Sequence, residues 1–333
     1  MTVPVSITIV TWNSARFITR CLDTVGELDC HGLEVIVVDN GSQDDTCALL
    51  RRSSVPSRVY RNPDNRGFAA AQNQAIARSS GDVVLVLNPD TLLTPSFVRE
   101  ALKGFSAAPR VGMVAPKLLR TTTGFGIPAA GEARIDSAGL LLSSSLRHFD
   151  RGAGQPDTGQ YERMERVFGP TGAGALYSRA LVEDVKIGGE FFDELFFSYR
   201  EDGDLAWRAR LLGWEGVYVA QSVGYHMRRA RPELGRKVSP EINRHSVKNR
   251  FLMRIKNITP GVYARAMVPT TLRDLMVVAG VIVLERQSLP GLAYVVRNVP
   301  RLLRARREIQ RRRRPTDVPL WRWVGRESMA LGD

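Results

Sequence analysis

The chain has 333 residues, 44% hydrophobic and 24% charged, with a formal net charge of +13 at pH 7. That length allows a large core and either one extended domain or a domain with a substantial appendage, and the apolar content is ordinary for a globular protein. Cys21, Cys30 and Cys47 show no metal-type spacing, and an odd number argues against a disulfide framework, so a reducing cytoplasm fits best. The start, M-T-V-P-V-S-I-T-I-V, lacks a basic n-region and reads as a strand, not a signal peptide. Charge is unevenly spread. Up to Tyr225 acids outnumber bases 26 to 23, whereas from His226 onward bases outnumber acids 24 to 8. A basic final third points to a polyanionic partner, either an acidic membrane surface or nucleic acid.

Residues 5–11, V-S-I-T-I-V-T, read as a first strand, and Asn13 or Ser14 can cap a helix whose apolar side is Ile18, Leu22 and Val25. Residues 34–39, E-V-I-V-V-D, form a second apolar strand, and Ser42 with Asp45 makes a capping box for a short helix through Leu49 and Leu50. A weaker strand at 58–61 leads through Asn62-Pro63-Asp64-Asn65-Arg66-Gly67 into an alanine-rich helix over 68–78. Residues 81–90, G-D-V-V-L-V-L-N-P-D, give an unbroken apolar run suited to a strand buried on both faces, and the run ends at a carboxylate, Asp90. Thr94-Pro95 marks the next helix start. This β-α-β-α-β-α-β order, at intervals of about 25 residues, predicts a doubly wound, mostly parallel α/β sheet. Polar residues gather at three strand ends, Thr11-Trp12-Asn13, Asp39-Asn40 and Asn88-Pro89-Asp90. Ligands of such sheets bind beyond the carboxyl ends of the strands.

Residues 120–165 are rich in Gly, Ser and Thr and read as long loops with short antiparallel strands. In residues 191–214, Leu205, Arg208, Leu211 and Leu212 have helical spacing, with Gly213 as the stop and Glu201, Asp202 and Asp204 crowded at the N-terminus. Those acids have two readings. They stabilise the helix through its dipole, by about a few tenths of a kcal/mol each, or one of them is a general base walled from water by the preceding aromatics. Asn88-Pro89-Asp90 is likewise a turn by residue type, or a metal and phosphate anchor by position. His226, just past a strand at 216–220, is structural, or it joins Asp90 as the nitrogen and oxygen ligands of a Mg- or Mn-type site. Arg66, Arg228 and Arg229 are surface cations or phosphate neutralisers. The chain has no G-x-G-x-x-G after its first strand, no G-x-x-x-x-G-K-[ST] and no G-x-S-x-G. Their absence disfavours a dinucleotide oxidoreductase, a phosphate-loop NTPase and an α/β-hydrolase.

Taken in order, S-I-T-I-V-T-W-N, V-I-V-V-D-N-G-S-Q-D-D-T, N-R-G-F-A-A-A-Q-N, L-V-L-N-P-D, G-G-E-F-F-D-E-L-F-F-S-Y-R-E-D-G-D-L-A-W-R and G-Y-H resemble the family 2 glycosyltransferases of GT-A fold. The resemblance covers residues 4–230 and is strongest to bacterial rhamnosyltransferases that use dTDP-L-rhamnose. It implies a Rossmann-like catalytic domain over 1–230, with a nucleotide-sugar half (1–118) and an acceptor and base half (119–230), followed by a basic, mainly helical region over 231–333. It implies that Thr11, Trp12, Asn13 and Asp39 hold the donor's base and ribose, and that Asn65, Arg66, Gly67 and Asn73 line nucleotide and sugar. Asp90, with Asn88 beside it, and His226 would take a divalent cation, Mg or Mn, at the diphosphate. Asp202 would be the base of an inverting transfer, supported by Glu201 and Asp204. One departure stands out: many relatives carry two acids where this chain has Asn88 and Asp90, and a carboxamide is the weaker metal ligand.

Acceptors of such enzymes are glycans or lipid-linked glycans, which fits a tail that lies on the inner face of the cell membrane. Apolar stripes over 267–284 and 289–307 carry flanking arginines, and Trp321 and Trp323 follow. The longest apolar run there, 275–284, is far short of the roughly 20 residues that cross a bilayer. Other sugars, galactofuranose among them, remain open as donors, and a homo-oligomer remains open too. The rivals are a nucleotide-sugar-binding protein without activity and a nucleic-acid-binding module built on Arg311 to Arg314. The second is disfavoured because no groove-reading or stacking motif accompanies the basic run.

Overall fold

Val83, Val84, Leu85, Val86 and Leu87 have no polar side chain to satisfy, and all five are buried in strand β4 (Val83–Leu87) at the middle of a ten-stranded sheet. The structure, a computed structural model, describes residues 3–129, 131–228 and 239–331. Strand β1 (Val5–Thr11), helix α1 (Ile18–Gly26), β2 (Leu33–Asp39), α2 (Thr46–Arg52), β3 (Arg58–Arg61) and α3 (Phe68–Ala77) precede β4 in the predicted alternation. After it come β5 (Thr91–Leu93), α4 (Phe97–Lys103), β6 (Val111–Arg120) and four short strands, β7 (Ile135–Ser137), β8 (Leu140–Leu142), β9 (His148–Asp150) and β10 (Glu165–Arg166). Then follow β11 (Gly174–Ser178), α5 (Arg179–Asp184), α6 (Glu201–Leu211) and β12 (Glu215–His226), and a helical C-terminal part of α7 (Pro240–Asn257), α8 (Pro260–Val283) and α9 (Leu289–Arg311).

The sheet runs β10-β12-β6-β11-β4-β1-β2-β3. β4, β1, β2 and β3 pair in parallel, as do β6 and β12, while β11 is antiparallel between β4 and β6. Register sets Thr11 opposite Asp39, Asp39 opposite Arg61 and Ile9 opposite Leu87. Thr11, Asp39 and Asn88 therefore open on one edge of the sheet, the edge where such folds bind ligands. The segments 216–220 and 224–226 are one strand, β12, whose register with β6 shifts between Val219 and Val223.

Several local expectations give way to stronger partners. Ser42 does not cap α2, because its hydroxyl and amide both go to the Asp39 carboxylate. Asp44 instead accepts from Thr46 N at 3.0 Å. Neither Asn13 nor Ser14 caps α1 by side chain: Asn13 Oδ1 accepts from Gln43 N at 2.8 Å and Ser14 Oγ from Trp12 N at 3.2 Å. The first turn after Thr94-Pro95 begins two residues late, at Phe97.

The C-terminal helices share one hydrophobic core with α6 and the sheet. One buried cluster joins Phe168, Leu205 and Trp207 to Leu252, Val295, Leu302, Ile309 and Trp323. Trp323 is 0% exposed, edge-on to Phe168 and beneath the Arg210 guanidinium at 4.0 Å, so it packs the core and is not an interfacial anchor. Trp321 is half-exposed and lies under Arg265 at 3.7 Å. Most of the apolar surface these helices leave outside belongs to α8, where Val268, Leu272, Leu275, Met276, Ile282 and Val283 are all exposed, with Leu289, Val296 and Leu303 exposed on α9. Residues 275–284 are only the last part of this helix. At 24 residues, with an 18-residue stretch of mean hydropathy 1.6, α8 is long and apolar enough to cross a membrane, by length and composition. Its middle is nonetheless pinned to α7 by Arg254 and Asp274 at 2.6 Å.

Candidate active site

A cleft of about 890 Å³ opens where the ends of β4 and β12, the β8–β9 hairpin and the start of α6 meet helices α7 and α8. Six candidate residues line it together: Asn88, Asp90, Glu201, Asp202, His226 and Arg228. They come from distant parts of the chain because the sheet edge collects strand ends.

On the strand side the charges are matched. His226 Nε2 faces Asp90 Oδ1 at 3.4 Å, and its Nδ1 is 2.8 Å from Asp136 Oδ2. Asp136 is 0% exposed and also meets Arg228 Nε at 2.8 Å, and Arg228 continues to Asp150 on β9. Burial alone would lower the imidazole, but the carboxylates of Asp90 and Asp136 on its two nitrogens outweigh that and raise it to about 10. Burial opposes ionisation of Asp136, yet Arg228 and His226 hold its carboxyl below the usual range. Arg229, the neighbour of Arg228, lies outside the described residues.

Asp202 stands in the first turn of α6. Its carboxylate accepts from Gly172 N at 3.1 Å and from Gly203 N at 2.7 Å. Glu201 beside it is buried, and its Oε2 has no hydrogen-bond partner. Burial and the neighbouring Asp202 push Glu201 well above the usual carboxyl value, while burial raises Asp202 against the pull of its two amide donors. Glu201 is therefore the carboxyl that more readily keeps a proton, and the two amide donors favour the charge on Asp202. Paired carboxyl groups with diverging environments are how a site keeps an ionised base beside an acid. His148 Nε2 lies 3.7 Å from Asp202. Burial and Arg200 lower its pKa to about 3, so the ring is neutral. Arg200 Nη1 reaches His148 Nδ1 at 3.4 Å, which leaves the ring proton on Nε2, facing Asp202. Gly203 makes this approach feasible, since a Cβ there would come within 2.8 Å of the His148 ring.

The turn that aims Asp202 is strained. Phe197, Tyr199 and Arg200 all have positive φ, at 64°, 70° and 70°, a conformation that costs a non-glycine residue about 1–3 kcal/mol. Asn249, fully buried on α7, offsets this. Its Nδ2 donates to the carbonyls of Phe196 (3.0 Å), Ser198 (2.8 Å) and Tyr199 (2.6 Å).

The other expected residues lie beside the cleft or support it. Asp39 is wholly buried and accepts from Thr11 Oγ1, Ser42 N and Oγ, and Cys47 Sγ. A nucleobase that uses Asp39 must replace one of these donors, and the thiol at 3.2 Å is the weakest. Trp12 is half-exposed next to Asn13 on the same strand end. Asn65 Oδ1 accepts from Asn40 Nδ2 and Gly67 N, both at 2.9 Å, which fixes the 62–67 loop. Arg66 lines a separate small hollow with Asp64, Ala70, Gln74 and Glu194. Asn73 does not reach the cleft: its amide bonds both the N–H and the C=O of Phe192, at 2.9 and 2.8 Å, and so ties α3 to the aromatic segment before Asp202. Asp204 is turned away from the cleft and bonds Lys256 Nζ at 2.9 Å and Asn257 Nδ2 at 2.7 Å, joining α6 to α7.

Asp90 and His226 would suit a hard divalent cation once it displaces the proton on His226 Nε2, since only neutral imidazole ligates. Oxygen and nitrogen face one another, and a carboxylate on Nδ1 fixes the ring as in carboxylate–histidine–metal arrangements. Among the described residues no group of three His, Cys, Asp or Glu gathers into a cage. A cation there would take its remaining ligands from phosphate and water.

Sequence reasoning missed Asp136, His148, Asp150, Arg147, Arg200, Asn249, Arg250 and Arg273. The first four lie in the stretch whose composition reads only as loop. Arg200 lies inside a motif of the resemblance and the adjacent Asn249 and Arg250 also fit the rhamnosyltransferase group, but none of them carried a site role from sequence, and Arg273 has no pattern that marks it.

A profile described as glycosyl transferase family 2 matches residues 6–186. Over 243 residues the chain is 29% identical to N-acetylglucosaminyl-diphospho-decaprenol L-rhamnosyltransferase of Mycobacterium tuberculosis, covering 68% of this chain and 76% of that protein. Its backbone is similar to Staphylococcus aureus TarS residues 1–349 (TM-score 0.56, 18% identity, 92% and 88% covered). It is also similar to the Pyrobaculum calidifontis mannosyltransferase PcManGT, solved with GDP-Man and Mn2+ (TM-score 0.52, 19% identity, 90% and 76% covered). With the mixed, mostly parallel sheet and the ordered motifs in place, the chain belongs to glycosyl transferase family 2 and is a glycosyltransferase of GT-A fold.

Proposed function

We propose that this enzyme moves L-rhamnose from dTDP-L-rhamnose, with inversion, to a hydroxyl of a sugar carried on a lipid diphosphate, in assembly of a cell-envelope polysaccharide. The observation that carries the chemistry is the Asp202–Glu201 pair. The Asp202 carboxylate is held by two backbone N–H groups beside Glu201, whose burial disfavours its charge, in the cleft that also contains Asp90 and His226. The donor and acceptor follow the M. tuberculosis relative, whose name specifies a rhamnosyl group and a diphospho-decaprenol substrate.

Asp202 accepts the proton of the acceptor hydroxyl as that oxygen attacks the anomeric carbon. Glu201, already protonated, adds no competing charge, and neutral His148 steadies the Asp202 oxygen that faces it. A divalent cation held by Asp90 and His226 supplies charge stabilisation at the departing diphosphate when bound. Asp136 keeps the His226 ring oriented for that role. Thr11, Trp12, Asn13 and Asp39 receive the nucleoside, and the Asn65-Arg66-Gly67 loop closes beside it. Asp204 and Asn73 hold the base segment from behind. Helix α8 rests its exposed apolar face in the inner leaflet of the cell membrane without crossing it, since Arg265 and Asp274 tie its other side to the protein.

The experiment is transfer by the purified enzyme to a sugar on a short polyprenyl diphosphate, from dTDP-, UDP- and GDP-sugars, with and without Mg or Mn. Release of dTDP with an inverted rhamnosyl product is expected. Turnover only with a UDP- or GDP-sugar moves the reading to galactofuranosyl or other hexosyl transfer, and donor binding without any turnover moves it to a binding protein.

A further inference from the structure

Four arginines from four elements converge on the wall of the cleft: Arg147 from the β8–β9 turn, Arg200 at the start of α6, Arg250 on α7 and Arg273 on α8. Among the described residues none of the four has a carboxylate within ion-pair distance. Arg200 bonds only His148 Nδ1 and Ser246 Oγ, and Arg147 lies over the Phe149 ring. Arg250 is 6% exposed, and both its Nε and Nη1 lack partners; the Nε atoms of Arg147, Arg200 and Arg273 are buried without partners too. Arg254, one turn further along α7, is by contrast paired to Asp274 of α8 at 2.6 Å, so a neighbouring cation on the same helix does have its carboxylate.

Burial and the surrounding arginines lower Arg250 to about 9 and Arg200 to about 10. Desolvated like charges with open donors are unfavourable unless an anion neutralises them. Guanidinium forks match phosphate oxygens in shape and charge.

We infer that Arg147, Arg200, Arg250 and Arg273 form a second anion site that grips the phosphate groups of the lipid-linked acceptor. The inference rests on the acceptor reading above. The donor's phosphates belong with Asp90 and His226 at the strand ends, where the protein has matched its own cations with Asp136 and Asp150. The unmatched arginines stand beyond His148, which touches Asp202 through one nitrogen and Arg200 through the other. Their wall continues into Met276, Val277, Gly280 and Val281 of α8, whose outer face is the exposed apolar surface. A molecule with its sugar at Asp202, its phosphates at the arginines and its hydrocarbon along α8 satisfies all three surfaces at once.

The test uses the full chain with its donor site filled by the nucleoside diphosphate that the donor screen selects. Farnesyl diphosphate, farnesol and vesicles of anionic phospholipid are titrated against wild type, Arg250→Met and Arg273→Gln. The more exposed Arg273 serves as the variant that folds if Arg250→Met does not. Farnesyl diphosphate is expected to bind wild type and to lose about tenfold or more in each variant, while nucleotide affinity is unchanged. In transfer assays the acceptor KM rises by the same factor and the donor KM stays. An equal loss of nucleotide affinity assigns the arginines to the donor and overturns the proposal. So does a loss confined to phospholipid vesicles, which makes the cluster a headgroup site. If sugar is transferred to the lipid diphosphate and both variants keep wild-type acceptor KM, the anion site fails while the function stands. If no lipid diphosphate accepts sugar, yet the variants lose farnesyl diphosphate, the site stands and the acceptor reading fails.

Discussion

Two sets of charges face each other across Asp202, and they are built on opposite plans. On the strand side Asp90, His226, Asp136, Arg228 and Asp150 alternate in sign, each bonded to the next. On the helical side Arg147, Arg200, Arg250 and Arg273 share one sign and leave donors open. A balanced network keeps its geometry whether or not substrate is present, which suits the part that positions a leaving group. An unbalanced one is completed only by what binds, which suits recognition. Asp202 feels both, since Arg228 and Arg200 each favour its ionised form.

The comparison can be broken at its centre first. Asp202→Asn is expected to cut transfer by about a hundred- to ten-thousandfold while donor binding, followed by thermal shift, persists. Turnover that survives assigns the base elsewhere. The two flanks should then respond with opposite signs. Asp136→Asn removes one of the two carboxylates that each of Arg228 and His226 holds and should cost about 3 kcal/mol in denaturant unfolding, whereas Arg250→Met removes an unmatched charge and should gain about 1 kcal/mol or more without ligand. Two losses of equal size would erase the distinction.

A pH titration sharpens the middle of the comparison. Glu201 binds its proton more tightly folded than unfolded, so the stability it contributes is complete below the ordinary carboxyl value of 4.5 and is lost as pH rises through the raised folded value. Glu201→Gln should therefore become progressively more stable than wild type as pH rises above that range, as measured by urea unfolding at several pH values. A pH-independent difference would show that Glu201 is ionised throughout. The smallest effect is expected at the periphery. Leu272→Gln with Leu275→Gln on α8 should weaken sedimentation with anionic vesicles by about tenfold or more, given about 1.5–3 kcal/mol per buried leucine, with little change in turnover on a water-soluble acceptor. Removing residues 286–333 tests something else, because Leu302, Ile309 and Trp323 belong to the core.

The strands and the polar residues at their ends were legible because burial on both faces demands an uninterrupted apolar run. Asp90, Asp202 and His226 stood out because each follows or opens a recognisable element. What could not be read depends on contacts between segments. Ser42 looks like a helix cap until the Asp39 carboxylate, three residues back, claims it. Asn73 matches a nucleotide motif, yet the backbone of Phe192, far along the chain, takes both ends of its amide. Arg250 and Arg273 look like any other basic residue of the tail, and only helix packing shows that they face inward. Trp323 has the residue type of a membrane anchor, but Phe168 and Arg210 enclose it.

Gly67 closes the distance between the two halves of the reaction. A Cβ at this position would lie 2.6 Å from the Phe197 ring, and Ala69 N donates to Phe197 O at 3.1 Å. The 62–67 loop and the strained turn before Asp202 are thus packed directly against each other, so that, under the proposed roles, one should not shift without the other. Timing follows from that rigidity: seating the donor settles the turn, so substrates should add in compulsory order, donor first. Product-inhibition kinetics would read this as nucleoside diphosphate competing with the donor alone, and Gly67→Ala should turn the order random.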